Sequence, residues 1–334
     1  MNASLAAATT LPDAGAYAGN PTLDTDLTLA LAIASRAAYD YYQNPDQPVT
    51  APPGYVMVDH WTGWDALLLS GSIESFGVVF QSSAQPDTCI FAFRGTDSDL
   101  DAWEDVHFIP TTFVPTAGSV SPTPWVSSGF YGIYDTQGEG MTASMRAQLF
   151  ALLHKYQPTQ LYVTGHSLGA ALSQLFSLDV AVSRPMGERP FSASNLNFAS
   201  PMVGLDSWGS AYASQIDASL SIRVYNYWDY VPSLPPSTFD YCAVGTGFRT
   251  SFYVDKEWFP HLLARHALSN LTVVLDNALP LTPQQWQGSF PDQVAGETSW
   301  TMVSTYPPAG ADVRWADQAQ TLMKAEAAAA VKAG

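Results

Sequence analysis

Residues 161–172 read LYVTGHSLGAAL, and this stretch decides the fold. It opens as a short β-branched and aromatic run, typical of a buried strand, and continues directly into residues with apolar positions at helical spacing. Between the two lies the pattern G-x-S-x-G, formed by Gly165, Ser167 and Gly169. A chain that turns from strand to helix so sharply crowds the central residue, and the glycines remove side chains that would clash there. The sequence therefore predicts that Ser167 lies exposed at the tip of a strand.

The same turn places a backbone donor beside the serine hydroxyl. The N–H of Leu168 lies at the start of the following helix, where N–H groups lack intrahelical partners and the helix dipole is positive. A hydroxyl beside such a donor is the arrangement that acyl transfer needs, with Ser167 as the nucleophile. The alternative is an ordinary Gly-Ser turn without a catalytic role. The strand–turn–helix context favours the nucleophile.

Composition and charge restrict the class of protein. The chain has 334 residues, 47% of them hydrophobic and 13% charged, which is enough to bury a substantial core in one large domain. Lys and Arg number 13 against 30 Asp and Glu, so the net charge is −17. Such a surface repels nucleic acid and anionic membranes, and we expect no nucleic-acid partner. The sequence contains no apolar run near the roughly 20 residues that span a bilayer, so we expect no integral membrane segment.

The cysteines and the first residues bear on disulfide bonding, metal binding and the cellular compartment. Cys89 and Cys242 each lie in a strand-like run, so we expect two buried free thiols rather than a bridge. No Cys/His cluster has the spacing of a zinc site, and we expect no metal or other cofactor. The chain begins without the basic and apolar regions of a signal peptide, while its low lysine and high proline content favour export. We expect an extracellular protein, and a cytoplasmic one stays open.

Strands and helices alternate along the chain. Helices are predicted over residues 23–42, 97–108, 140–156, 170–183, 205–216 and 266–279, and strands over 75–81, 89–94, 161–165, 195–199, 221–226 and 247–254. This alternation predicts an α/β fold with a mostly parallel central sheet covered by helices on both faces. Residues 1–22 are predicted to be loosely ordered. Residues 23–334 are predicted to form a single domain, with a core of about 24–279 and an extension, 280–334, packed on it.

A serine hydroxyl becomes a good nucleophile only when a histidine accepts its proton and a carboxylate orients that histidine. After a nucleophile turn of this type the carboxylate comes next in the chain, followed by the histidine. Of the histidines, only His261 and His266 follow Ser167. His266 immediately precedes an apolar helix, so we place it on a loop at the element boundary and favour it over His261. His166 is expected to point into the sheet as a packing residue.

The carboxylate is expected just past the end of a strand between the serine and the histidine. Asp229 follows the strand 221–226 and precedes a proline-containing loop that would hold it still. Asp240 and Asp255 lie near other strand edges and are the lesser candidates. The alternative for Asp229 is a turn aspartate that bonds its own backbone.

The oxyanion needs a second donor, usually an N–H of the loop after an earlier strand. The sequence Phe-Arg-Gly-Thr at residues 93–96 supplies such a loop, in which Thr96 offers its N–H and its hydroxyl. Arg94 is a single charge at the end of an apolar strand. We expect it to be a structural anchor that pairs with a buried carboxylate.

Together these residues resemble the class 3 lipases, the fungal-type α/β-hydrolase lipases, and in particular their bacterial members. The segments that carry the resemblance occur in family order and are FAFRGT (91–96), SGFY (128–131), VTGHSLGA (163–170), ASPMVG (199–204), YWDYVPSLPP (227–236) and HALSN (266–270). They cover about residues 24–279. The chain departs from the family at residues 126–128, Val-Ser-Ser, where members often carry a histidine, and its tail after Pro280 has no counterpart.

The resemblance implies an α/β-hydrolase fold and assigns a role to each candidate residue. Ser167, Asp229 and His266 would form a catalytic triad, and Thr96 with Leu168 would form the oxyanion hole. Residues 97–108 would form a lid helix over the site. The lid residues are Asp97, Leu100, Trp103 and Val106.

The implied activity is that of a lipase, which hydrolyses triacylglycerol-type esters through an acyl-enzyme without a cofactor. Its partners would be a lipid or ester substrate and, transiently, a lipid–water interface. One alternative is a phospholipase A1 or a broad short-chain carboxylesterase on the same scaffold. A more distant one is an inactive hydrolase-fold interaction protein, against which the intact candidate residues argue.

Overall fold

A computed structural model describes residues 20–65, 71–96, 108–187, 189–235, 239–255, 261–286, 289–291 and 301–304. The strands are β1 (Tyr55–Asp65), β2 (Ser72–Ser82), β3 (Thr88–Phe93), β4 (Pro110–Thr112), β5 (Trp125–Ser127), β6 (Gln160–Gly165), β7 (Ser192–Phe198), β8 (Gly204–Leu205), β9 (Ser221–Asn226), β10 (Tyr241–Cys242), β11 (Thr246–Thr250), β12 (Phe252–Asp255), β13 (Ser289–Pro291) and β14 (Thr301–Ser304). The helices are α1 (Thr25–Gln43), α2 (Ser128–Asp135), α3 (Met145–Tyr156), α4 (Leu168–Ser183), α5 (Asp206–Gln215), α6 (His261–His266) and α7 (Leu268–Ala278).

The central sheet has the strand order β1-β2-β3-β6-β7-β9-β11. Its first pairs, β1 with β2 and β2 with β3, are antiparallel, and the remaining pairs are parallel. The mostly parallel sheet predicted from the alternation is therefore confirmed, with β1 as an added strand that the sequence analysis did not identify. Because β3, β6, β7 and β9 run parallel, their carboxyl ends meet at one edge of the sheet, and the segments that follow them lie close together.

Helices cover both faces of this sheet, as predicted. Strand β3 is buried along its whole length, since Phe91 and Phe93 point to one face and Ile90 and Ala92 to the other. The first face packs against α2, α3, α4 and α5, and the second against α1 and α7. Burying both faces explains why β3 is a nearly continuous apolar run rather than an alternating one.

Two shorter sheets lie beside the central one, and one of them divides a predicted strand. Strands β10, β8, β5 and β4 form one small sheet, and β12, β14 and β13 form the other. The predicted strand 247–254 is two strands, because the chain leaves β11 at the buried Ser251 and β12 then pairs with β14. Trp286 is fully buried against Phe252, so the first part of the C-terminal extension packs on the main body.

Two predicted helices have different boundaries in the structure. Helix α3 begins at Met145, because the Ser144 side chain accepts a hydrogen bond from the N–H of Ala147 and caps the helix there. The prediction that His266 lies on a loop is wrong, since it is the last residue of α6. Non-helical backbone at Ala267 (φ −58°, ψ 127°) separates α6 from α7, and the Asn270 side chain donates a hydrogen bond to the carbonyl oxygen of Ala264 near the end of α6.

Several expectations lie outside the described residues: the order of residues 1–19, the lid residues 97–107 and the last part of the C-terminal extension. Cys89 and Cys242 are both free, as predicted, although only Cys89 is fully buried. Among the described residues, no helix is long and apolar enough to cross a membrane.

Candidate active site

The turn between β6 and α4 has the geometry predicted from its glycines. Ser167 adopts φ 60° and ψ −127°, a backbone conformation that residues other than glycine rarely adopt. Its N–H donates a hydrogen bond to the carbonyl oxygen of Phe198 at 3.0 Å. A Cβ on Gly165 would meet the backbone of Gly169, and one on Gly169 would meet the carbonyl oxygens that end β3. The glycines therefore let the turn close tightly, and it places Ser167 directly before the first N–H groups of α4.

Ser167, His266 and Asp229 form one hydrogen-bonded row. The Nε2 atom of His266 lies 2.8 Å from Ser167 Oγ, and its Nδ1 lies 2.7 Å from Asp229 Oδ2. With the Nδ1 proton donated to the carboxylate, Nε2 is free to accept the proton of the serine hydroxyl. The three residues are 3%, 9% and 2% exposed, respectively, so water competes little for these bonds. The prediction that Ser167 is exposed is therefore wrong, because His266 and the loop at Gly95 pack directly against it.

Asp229 occupies the turn that follows β9, the position at which the sequence analysis places the carboxylate. Its second oxygen, Oδ1, accepts the N–H of Val231 at 3.0 Å. Burial raises the pKa of Asp229, while the charge and hydrogen bond of His266 and the bond from Val231 act to lower it. The alternative reading, an aspartate that bonds its own turn, is thus half right: one oxygen holds the turn and the other holds the histidine.

The lesser candidates lie at other positions in the fold. Asp240 lies in an exposed position with φ 55°, after the segment that carries Asp229. Asp255 ends β12, and His261 begins α6, five positions before His266 in the chain. The structure therefore brings together the residues that the sequence analysis favours, and it leaves the alternatives on neighbouring elements.

His166 contacts the same site from inside the turn. Its Nε2 lies 2.9 Å from the carbonyl oxygen of His266, which only accepts, so Nε2 carries the proton. Its Nδ1 then accepts the hydroxyl proton of Tyr39, at 2.8 Å. Burial lowers the pKa of His166 well below its usual value, and a positive charge on the neighbouring His266 would lower it further. His166 is therefore a neutral histidine that links α1 to the backbone of His266.

Asn226 is a residue of the site that the sequence analysis missed. It ends β9, and its side-chain N–H groups donate to the carbonyl oxygens of Phe252 at 3.0 Å and Arg265 at 3.3 Å. Its side-chain oxygen accepts the N–H of Phe252 at 3.0 Å. One amide thus joins the strand before Asp229 to the helix that ends in His266. Nothing in the local sequence distinguishes Asn226 from any polar residue at a strand end.

The loop after β3 lies against the nucleophile turn. A Cβ on Gly95 would be 2.9 Å from Ser167 Cβ and 2.7 Å from the carbonyl oxygen of His166, which leaves room there for glycine alone. Thr96 follows directly, so the loop predicted to supply the second oxyanion donor reaches the serine. Leu168, the other predicted donor, is the first residue of α4. Among the described residues, no group of acidic, histidine and cysteine side chains has the geometry of a metal site.

Comparisons with known proteins show which family and which folds this chain is similar to. The family model described as Lipase (class 3) matches residues 90–239, so the predicted resemblance is confirmed over that range. The protein is 28% identical over 224 residues to Phospholipase A1-II 7 of Oryza sativa subsp. indica, which covers 61% of this chain and 53% of the relative. It is 30% identical over 164 residues to a protein of Rhizomucor miehei named Lipase, covering 47% of this chain and 40% of the relative.

Among solved structures, the fold is similar to that of a triacylglycerol lipase from Penicillium expansum, with a TM-score of 0.53 and 19% identity. The match covers 69% of this chain and 82% of that one. The expected α/β-hydrolase fold is confirmed. The chain spans about half the length of the curated relatives it matches, and these relatives come from a plant and a fungus. The prediction of a bacterial-type member stays a prediction.

Proposed function

We propose that this protein is a lipolytic serine esterase, with Ser167 as nucleophile, His266 as general base and Asp229 as the group that orients the histidine. One observation carries the proposal: the bonds from Asp229 to His266 and from His266 to Ser167 are 2.7 and 2.8 Å long and form an unbroken row. A structural serine needs no histidine, and a structural histidine needs no serine placed at a strained φ of 60°.

In the first half of the reaction, Ser167 Oγ attacks the ester carbonyl carbon while its proton moves to Nε2 of His266. The carbonyl oxygen becomes an oxyanion, which accepts hydrogen bonds from the N–H groups of Thr96 and Leu168. Collapse of this intermediate breaks the bond to the alcohol oxygen, which leaves with the proton from His266. The acyl group remains on Ser167.

In the second half, a water molecule attacks the acyl carbon and gives its proton to His266. The oxyanion forms again on the same two donors, and its collapse returns the proton to Ser167 and releases the carboxylic acid. Throughout, Asp229 remains ionised and stabilises the imidazolium. Its bond to Val231 holds the carboxylate oriented, so no reorganisation is needed when the charge appears.

The substrates that we propose are carboxylic esters of neutral or zwitterionic lipids, because a net charge of −17 disfavours anionic surfaces. Triacylglycerol-type esters are the first candidate. The name of the rice relative, a phospholipase A1, favours a second candidate, hydrolysis of the sn-1 ester of phospholipids. The lid proposed over residues 97–108, with Trp103 on its apolar face, would bring either lipid to the site.

A substrate panel tests the proposal. Wild-type protein and the Ser167→Ala variant are assayed on p-nitrophenyl butyrate, emulsified triolein and phosphatidylcholine vesicles, and both are treated with a fluorophosphonate probe. We expect ester hydrolysis and labelling by the wild type alone. A higher rate on triolein or on phosphatidylcholine decides between the two lipid classes. A folded wild type that neither hydrolyses an ester nor reacts with the probe would support the interaction-protein alternative.

A further inference from the structure

Arg94 forms the ion pair expected of a structural anchor, and it also forms hydrogen bonds that such an anchor does not require. It directly follows β3, is 1% exposed, and forms an ion pair with Glu74. Its Nε donates to the carbonyl oxygen of Ser75 at 2.6 Å, and its Nη1 donates to the carbonyl oxygen of Gly95 at 2.8 Å. The ion pair with Glu74 is sufficient to neutralise the buried charge of Arg94. The bond to Gly95 is therefore expected to have a different role.

Aromatic rings restrict the plane of the guanidinium. Its central carbon lies 3.8 Å from the ring centre of Tyr42, on α1, and 4.6 Å from that of Phe76, on β2. A planar group stacked in this way, with its donors spread over separate acceptors, has little freedom to rotate. The Nη1–H group of Arg94 therefore points in a fixed direction.

The bond to Gly95 fixes a peptide unit of the candidate oxyanion hole. The carbonyl oxygen of Gly95 and the N–H of Thr96 belong to one peptide group, which is trans. In a trans peptide the C=O and N–H bonds point in opposite directions. When Arg94 holds the oxygen on its own side, the N–H of Thr96 points to the other side of the loop.

Packing alone does not determine that direction. The close approach of Gly95 to Ser167 sets how near the loop lies to the nucleophile. Glycine, however, adopts many backbone conformations at little cost, so the peptide plane after it is free to turn unless something holds it. The structure holds it through Arg94.

We infer that Arg94 is a positioning residue for ester hydrolysis, which keeps the Thr96 N–H aimed at the oxyanion by binding the carbonyl oxygen of the same peptide. The inference rests on the proposed function. It assigns to Arg94 a role in transition-state stabilisation beyond the ion pair with Glu74, although Arg94 touches neither the substrate nor Ser167.

A kinetic comparison separates this role from a purely structural one. Arg94→Lys keeps the buried charge and can pair with Glu74, but it lacks the planar set of donors that reaches Gly95. The matched variant Glu74→Gln removes the ion pair and leaves the guanidinium donors in place. Both are assayed on p-nitrophenyl butyrate, with active sites counted by fluorophosphonate titration and at temperatures well below each variant's Tm.

For Arg94→Lys we expect kcat to fall by about 10- to 100-fold with KM within about threefold, somewhat less than the loss of a whole oxyanion donor. Binding of a trifluoromethyl ketone, whose adduct carries an oxyanion, is expected to weaken by the same factor. Glu74→Gln is expected to lower Tm while kcat per active site changes by less than about threefold. Equal effects of the two variants on kcat, or an Arg94→Lys enzyme with unchanged kcat and ketone binding, would overturn the inference.

An NMR experiment reads the peptide directly. The chain contains two Gly-Thr pairs, Gly95–Thr96 and Gly245–Thr246. With ¹³C-carbonyl glycine and ¹⁵N threonine, an HNCO spectrum therefore shows these two peptides alone. In Arg94→Lys we expect the Gly95–Thr96 signal to move and the Gly245–Thr246 signal, the internal control, to stay. Should Arg94→Lys fail to fold, the wild-type spectrum decides: the trifluoromethyl ketone must shift the Thr96 N–H downfield, and an unmoved signal overturns the inference.

The two proposals can fail separately. A folded wild type that hydrolyses no ester removes the proposed function and this inference with it. An active wild type whose Arg94→Lys variant keeps kcat, ketone binding and the Gly95–Thr96 signal removes the inference alone.

Discussion

Two buried histidines, His166 and His266, lie side by side, and they differ in the groups that are hydrogen-bonded to their rings. The rings of His166 and His266 are 4.6 Å apart, and both are buried. His266 has a carboxylate on one nitrogen and a hydroxyl on the other. His166 has a phenol hydroxyl on one nitrogen and a backbone carbonyl on the other, so neither of its ring nitrogens binds a carboxylate.

The difference shows what turns a histidine into a general base. Burial alone disfavours the imidazolium, as the lowered pKa of His166 shows. A carboxylate bonded to the ring stabilises the imidazolium that forms during the reaction, and of these two histidines only His266 has one. Because His166 remains neutral, it can contribute a fixed hydrogen bond without adding a second positive charge when His266 takes the serine proton.

The largest expected effect is the loss of activity on replacing His266, compared with the loss on replacing His166. His266→Ala removes the base, and we expect kcat/KM to fall by about 10⁵-fold or more. His166→Asn removes a bond to the backbone of His266, and we expect a fall of about tenfold or less. Both are measured on p-nitrophenyl butyrate with protein of verified fold. Comparable losses in the two variants would contradict the different roles assigned to His166 and His266.

The next prediction tests the carboxylate that distinguishes the two rings. Asp229→Asn keeps the shape of the side chain but favours the wrong histidine tautomer, so we expect kcat to fall by about 10⁴-fold. Near-wild-type circular dichroism is the control for folding. An Asp229→Asn enzyme within tenfold of the wild type would show that His266 does not depend on this partner.

A smaller effect, mainly on stability, is expected for Tyr39, the residue that donates a hydrogen bond to His166. Tyr39→Phe removes the hydroxyl that donates to Nδ1 and leaves a buried acceptor without its partner, at a cost of about 1–3 kcal/mol in the free energy of unfolding. We expect kcat to change by less than about tenfold. Urea denaturation measures the first quantity and the p-nitrophenyl assay the second. A stability equal to that of the wild type would contradict the role given to Tyr39.

The smallest effect is a pH dependence of stability. The unfolded chain protonates His166 near pH 6.5, whereas the folded protein, in which the pKa of His166 is lowered, does not. The unfolded state therefore binds more protons below about pH 6.5, and His166 makes stability fall with decreasing pH by at most about 1.4 kcal/mol per unit. Urea denaturation between pH 5 and 7.5 measures the slope. His166→Asn should show a shallower slope, and an unchanged slope would sink the prediction.

Much of the site follows from local sequence. Gly165 and Gly169 around Ser167 predict a tight strand-to-helix turn for steric reasons that need no knowledge of the rest of the chain. The order of nucleophile, carboxylate and histidine then leaves few candidates, and the structure brings the favoured ones, Asp229 and His266, together. Local signals were less reliable at element boundaries, where His266 proved to end a helix rather than lie on a loop.

The contacts that hold the site could not be predicted in this way. Tyr39 bonds a histidine 127 residues away, and Asn226 bonds backbone 26 and 39 residues further along. The sequence around Tyr39 and around Asn226 does not identify either residue as part of the site, because any well-placed polar side chain could bind the same partner. Only the packing of α1 and α6 against the sheet decides which one does.

The sequence by itself determined the strand–turn–helix unit, the parallel sheet and the residue types at its edge, because these depend on backbone sterics and on the periodicity of apolar side chains. The tertiary structure alone decided that Tyr39 and Asn226 hold the site, and which face of the Gly95–Thr96 peptide the arginine holds. Those outcomes depend on distances between segments far apart in the chain, which hydrophobic pattern does not encode.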